Sequence, residues 1–141
     1  MLIRECTVED VVSLEQLSPS GLNREHARRL ERQLTGEETY LLAWYEGELA
    51  GHGAVLWQGC TDAAVRAAVP ECPEIYGLGV TADLRGRGIG TALIRAAEDR
   101  ARQRGHRRIG ISADLDNGRA TRLYERLGYR ATMRYLGAWA Y

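Results

Sequence analysis

The sequence predicts one α/β domain: a mixed, mostly antiparallel sheet with helices on both faces. Three observations carry this. Short strand-like runs outnumber helical stripes along the chain. The longest helical stripe, Ile89, Ala92, Leu93, Ala96, Ala97 and Ala101, lies between two strand-like runs, as a right-handed parallel crossover does. The chain has 141 residues and 45% apolar composition, enough for one sizeable core and too little for two ordinary ones. The domain is expected to cover residues 1–141.

The elements follow in order. Residues 2–6 alternate as a first strand. Thr7-Val8-Glu9-Asp10 offers a cap with acids in the first turn, and apolar positions from 8 to 17 support a helix. Ser18-Pro19-Ser20-Gly21 breaks it. Asn23 caps a second helix over 24–34, with Ala27, Leu30 and Leu34 on one face. A hairpin joins strands 39–45 and 49–58 through Glu46-Gly47-Glu48. Residues 59–73 read as a loop with a short helical turn at 63–68. Residues 75–80 form a central strand, where Gly77 and Gly79 signal a bulge or a close backbone approach. The long helix runs from near Gly88 to Gly105, with Glu98 and Arg102 paired on its outer face. A strand at 108–113, a helix at 117–127 stopped by Gly128, and strands at 129–133 and 135–141 close the domain.

Composition narrows the function. No run of about 18 apolar residues occurs, so no membrane span is expected. The opening Met1-Leu2-Ile3-Arg4-Glu5 lacks a basic segment ahead of a long apolar stretch, so no secretory leader is expected. Cys6, Cys60 and Cys72 are odd in number and lack C-x-x-C spacing, which suits thiols of a reducing cytoplasm rather than a disulfide framework or metal site. Net charge is zero, yet residues 1–84 carry six Arg against fourteen acids (−8) and residues 85–141 thirteen Arg against five (+8). Such a two-signed chain suits an anionic ligand on one side, and does not resemble a strongly basic nucleic-acid binder.

Chemistry concentrates in Leu78-Gly79-Val80-Thr81-Ala82-Asp83-Leu84-Arg85-Gly86-Arg87-Gly88-Ile89-Gly90-Thr91. Three alternate glycines strip side chains from the point where a helix begins, and the first N–H groups of a helix have no partner within it. With the helix dipole behind them they form an anion site suited to a pyrophosphate, and Arg85 and Arg87 add charge at its rim. A P-loop requires Lys, which is absent from the sequence. A dinucleotide fingerprint requires G-x-G-x-x-G, whereas the spacing here is G-x-G-x-G.

Arg85-Gly86-Arg87-Gly88-Ile89-Gly90 resembles the R/Q-x-x-G-x-G/A signature of the GCN5-related N-acetyltransferases (GNAT). The segment from Asp116-Asn117 through Tyr124 to Gly128-Tyr129 is similar to that family's N-x-x-A-x-x-L-Y-x-x-x-G-F/Y motif. The hairpin around Glu46-Gly47-Glu48 and the opening Ile3-Arg4 with Glu9-Asp10 also fit. The resemblance covers nearly the whole chain, with residues 59–73 the least typical.

The resemblance implies a GNAT fold, with the parallel strands at 75–80 and 108–113 splayed apart. It implies acetyl-CoA as cosubstrate, an amine acceptor and no metal. Leu78, Gly79 and Val80 would offer backbone groups to the pantetheine arm, and an N–H freed by the bulge would polarise the thioester carbonyl. Arg85, Gly86, Arg87, Gly88, Ile89 and Gly90 would hold the pyrophosphate. Asn117 would contact the cofactor, and equally serves as a helix N-cap. Tyr124 would protonate or hydrogen-bond the departing thiolate. Glu74 is the candidate general base, directly or through a water, and His52 is a second candidate; His26 and His106 read as surface residues.

Acceptor contacts are expected from the first helices, the 59–73 loop and the last hairpin. Glu25, Glu31, Asp62, Glu71 and Glu74, with Trp57, Tyr76, Tyr135 and Trp139 as walls, suit a small cationic amine. A peptide N-terminus or lysine is the alternative acceptor. A non-catalytic acyl-CoA sensor and a nucleotide-binding regulator are rival functions. The closing strands offer an edge for a homodimer.

Overall fold

The structure, a computed structural model, describes residues 1–114, 116–131, 133–135 and 138–140, the side chains of Asp114 and of the last two groups excepted. Its elements are β1 (Leu2–Glu5), α1 (Asp10–Leu17), α2 (Glu25–Leu34), β2 (Glu38–Tyr45), β3 (Glu48–Leu56), α3 (Ala63–Ala68), β4 (Glu74–Val80), α4 (Ile89–Gln103), β5 (Gly110–Asp114), α5 (Gly118–Arg126), β6 (Met133–Tyr135) and β7 (Ala138–Ala140). The strand order is β1-β2-β3-β4-β5-β7-β6. Neighbours are antiparallel except β4 and β5, which run parallel and are joined through α4.

Strand alternation divides the core between the two faces. On β2, Leu41 and Ala43 join Leu93, Ile94, Ala97 and Tyr124, so α4 and α5 cover that face. Tyr40 and Leu42 point the other way and meet Leu14 of α1 and Leu30 of α2. The β2–β3 hairpin turns at Glu46 (φ 50°) and Gly47 (φ 83°), the paired left-handed residues of a tight two-residue turn.

Three local expectations are corrected. Asn23 does not cap α2: Arg24 adopts φ 47° and the Glu25 N–H donates to Ser20 Oγ at 3.0 Å. Leu34 is 77% exposed; Leu30 is buried as expected, and His26 joins it on the inward face of α2. Glu98 pairs with Arg102 at 4.0 Å as expected, but it is buried rather than on the outer face of α4, and also accepts from the Tyr129 hydroxyl at 2.8 Å and from Arg95 at 2.8 Å.

The closing strands are also displaced from expectation. Tyr129 belongs to the stop of α5: its N–H donates to the Tyr124 carbonyl at 2.9 Å and the Gly128 N–H to that of Glu125 at 3.0 Å. With Gly128 at φ 99°, this is a Schellman motif, and the strand begins only at Met133. Residues 132, 136, 137 and 141 of the expected strands lie outside the described residues.

The glycines of β4 divide the two roles expected of them. Ala54 pairs with Tyr76 and His52 with Gly79, so Gly53 of β3 opposes both Gly77 and Leu78. Gly77, at φ 63°, is therefore the bulge. Gly79 is the close approach, because a Cβ there would come within 3.1 Å of the His52 ring.

Candidate functional site

β4 and β5 pair only at Glu74 with Gly110 and Ile75 with Ile111. Beyond these two rungs the strands part, and a cleft of about 340 Å³ opens between them. Glu74, Leu78, Asn117 and Tyr124 line it together with Tyr76 and Ser112. Past the bulge, Gly79 and Val80 remain paired to β3 on one side only, leaving the β5-facing backbone without a strand partner among the described residues. An extended ligand could add there as a strand does.

Glu74 is buried and accepts a hydrogen bond from Ser112 Oγ at 2.7 Å. Tyr124 sits on the inner face of α5, 5% exposed, its ring 6.5 Å from that of Tyr129. The Asn117 side chain accepts from the Ala120 N–H at 3.2 Å, the N-cap its position suggested.

The glycine-rich turn lies beyond the end of β4. Gly86 and Gly88 adopt φ 76° and 80°, and a Cβ on either would meet nothing within 4 Å, so this backbone stands open. The Ile89 side chain is buried in the core, so it can offer a ligand only its backbone. Gly90 packs where a Cβ would lie 3.7 Å from Leu123 and 3.8 Å from Val80, holding the start of α4 against α5 and β4. Arg85 is exposed, and the Arg87 guanidinium lies 5.6 Å from the Tyr45 ring centroid.

The model of the acetyltransferase (GNAT) family matches residues 8–129 of this chain. The chain belongs to the GNAT family. An uncharacterised N-acetyltransferase of Methanocaldococcus jannaschii is 44% identical over 59 residues, covering 42% of this chain and 26% of that protein. The mycothiol acetyltransferase of Beutenbergia cavernae is 37% identical over 92 residues, 60% of this chain and 31% of that protein. The chain thus spans about a quarter to a third of the length of these curated relatives. A putative acetyl transferase of Pyrococcus furiosus superposes with a TM-score of 0.69 at 28% identity, covering 96% of each chain. The aminoglycoside 6′-N-acetyltransferase of Acinetobacter haemolyticus shares the fold, with a TM-score of 0.78 at 20% identity over 96% of this chain and 95% of that one.

In this GNAT domain the face carrying α1 and α2 differs from the sequence expectation. His26, expected at the surface, is 3% exposed, with Nδ1 2.6 Å from the Tyr40 hydroxyl and Nε2 2.7 Å from the Ser18 carbonyl. His52 Nδ1 donates to the Gly77 carbonyl at 2.8 Å. Burial, with Arg29 close by, pushes the His52 pKa down to about 4, so the ring is neutral near pH 7 with Nε2 bare.

Of the acids expected to attract a cation, Glu25, Asp62 and Glu74 are already engaged. Glu25 Oε1 meets both Arg29 and Arg32 at 3.2 Å. Asp62 caps α3 by accepting from the Val65 N–H at 3.1 Å. Glu38, not singled out from sequence, is buried between Arg32 and the Tyr76 hydroxyl. Trp57, an expected wall, stacks instead on His106 and lies 3.9 Å beneath the Arg104 guanidinium, away from the cleft. Tyr76 does line the cleft, while the Tyr135 and Trp139 side chains lie outside the described residues. Sequence reading also missed Ser112 and Arg29. An Arg four residues after a Glu reads as a solvated helix pair, which hides a buried guanidinium.

Proposed function

We propose that this domain transfers an acetyl group from acetyl-CoA to a primary amine by direct attack within a ternary complex. The observation that carries the reading is the parting of β4 and β5 beyond Ile75 and Ile111, beside a glycine bulge and within reach of the mouth of α4. That arrangement fits a long diphosphate thioester. The open amides around Gly86, Gly88 and Ile89, with Arg85 and Arg87 at the rim, take the pyrophosphate. Leu78, Gly79 and Val80 pair with the pantetheine arm, and Asn117 contacts the cosubstrate while capping α5.

The chain's own groups then supply the chemistry. An ammonium has no lone pair, so Glu74 takes a proton from the acceptor, directly or through a water. The amine nitrogen adds to the thioester carbonyl carbon, and a backbone N–H at the Gly77 bulge stabilises the oxygen that becomes negative. As the C–S bond breaks, the Tyr124 hydroxyl gives its proton to the sulfur, and the extra proton lost by the new amide nitrogen restores the phenol. A thiol pKa of about 8.5 means this leaving group needs only modest help.

Calorimetric titration with acetyl-CoA, ATP and NAD, followed by an amine-library screen for free thiol release, tests the reading. Acetyl-CoA alone should bind, and at least one amine should release thiol. Binding without release on any amine would leave an acyl-CoA sensor, and binding of ATP or NAD in its place would leave a nucleotide regulator. Tyr124→Phe should lower kcat by about 10- to 100-fold while the acetyl-CoA Kd changes less than about two-fold. Equal turnover in the variant removes Tyr124 from the mechanism.

A further inference from the structure

Arg29 reaches from α2 across the sheet to the bulge of β4. Its guanidinium packs so tightly over Gly77 that a Cβ there would fall 2.6 Å from Nη2 and 2.9 Å from Nη1. Gly77 is thus required twice, by its φ of 63° and by this contact. The cation lies 5.4 Å from the Tyr40 ring centroid and 5.1 Å from that of Tyr76, and Tyr76 lines the cleft. The Arg29 side chain is 11% exposed.

A guanidinium taken out of water needs acceptors for its five N–H donors. Nε donates to Glu25 at 3.2 Å, and the Tyr40 hydroxyl engages the group as well. The rest of the fork has no acceptor among the described residues. The outer nitrogens lie against Gly77, which together with Tyr76 lines the cleft. The fork thus sits at the bulge, on the face opposite α4 and α5. The proposed diphosphate seat is at the mouth of α4, so an unpaired fork here faces the side left for the acceptor. The nearby carboxylates give it no further partner: Glu25 is shared between Arg29 and Arg32, and Glu38 is held by Arg32 and Tyr76.

We infer that Arg29 reads a carboxylate on the acceptor, so that the amine acetylated belongs to an amino-acid-like molecule carrying its carboxylate close to the amino group. The inference rests on the amine-acetylation reading above. A planar fork matches a carboxylate two bonds at a time. The two tyrosine faces hold the guanidinium plane, so little freedom is lost when the acid binds. A polycation would instead meet like charge at the reaction centre.

The test is a thiol-release assay at saturating acetyl-CoA, using free amino acids, their carboxamides and the corresponding decarboxylated amines. Free amino acids should show kcat/KM about 10-fold or more above the other two sets. Arg29→Gln should lower that kcat/KM by about 10- to 100-fold, mostly through KM, and leave the carboxamides within about two-fold. Arg29→Lys should retain an intermediate preference. If carboxamides or decarboxylated amines are the better wild-type acceptors, or if Arg29→Gln depresses every acceptor alike, the carboxylate reading is wrong while acetyl transfer stands. No thiol release with any amine removes both readings. The wild-type comparison decides the preference even if a variant fails to fold.

Discussion

His52 couples the fold's acid stability to the geometry of the bulge. Its Nδ1–H holds the Gly77 carbonyl, and burial beside Arg29 keeps the ring neutral by pushing its pKa down to about 4. In the unfolded chain the same ring titrates near its ordinary value of 6.5. Between those two values the unfolded state binds more protons than the folded one, so stability rises with pH across the window. His52 therefore contributes fully above about pH 6.5, and the contribution fades as pH falls toward 4. Its size is about 3–4 kcal/mol, because a difference of one pH unit between the folded and unfolded titrations is worth about 1.4 kcal/mol. Urea midpoints measured from pH 8 to pH 4 should fall in the wild type and fall clearly less in His52→Gln. Parallel curves would show that another group governs the loss. Sequence alone offered His52 as a second base. His52 is not among the residues lining the cleft, which leaves Glu74, held there by Ser112, as the stronger candidate.

The turn into α4 was legible as an element, because its glycines have local causes. Gly86 and Gly88 require left-handed backbone, and Gly105 and Gly128 end α4 and α5 in the same conformation. The cleft was legible only through the family resemblance, since a strand's parting from its neighbour leaves no periodic mark. Helix α2 was misread for a physical reason. Its inward face carries His26, Arg29 and Arg32, all serving a polar cluster, and a pattern search seeks apolar residues at that spacing. The open geometry at Gly88 makes a clean test of the proposed diphosphate seat. An added methyl meets nothing within 4 Å, so Gly88→Ala costs the fold only the φ penalty of about 1–2 kcal/mol. The methyl would nevertheless stand at the amides offered to the phosphates. We expect the acetyl-CoA Kd, by calorimetry, to rise about 10-fold in a variant that keeps its cooperative thermal transition. An unchanged Kd would move the seat elsewhere.

Across the whole molecule, the split of charge along the chain, −8 before Arg85 and +8 from it onward, sorts into different uses. Three acids of the first part pair with its own arginines: Asp10 with Arg4, Glu25 with Arg29 and Arg32, Glu38 with Arg32. Those arginines are already counted in the −8, so their pairing decides where the excess negative charge lies and not its size, and no count along the sequence could show which carboxylates find an arginine. At the turn before α4 the case differs, since Arg85 is exposed and no carboxylate is bonded to it or to Arg87 among the described residues. Under the proposed function their attraction for a diphosphate would act through solvent, where the screening length is about 10 Å at 0.1 M salt and about 3 Å at 1 M. The backbone amides at Gly88 and Ile89 would act at contact distance on the proposed diphosphate and be screened far less. The acetyl-CoA Kd should accordingly rise several-fold between about 0.05 and 0.5 M NaCl, with kcat little changed. Arg85→Gln should start weaker and show a shallower salt slope, converging on the wild type at high salt. A slope unaffected by Arg85→Gln would place the steering charge on other arginines of the second half.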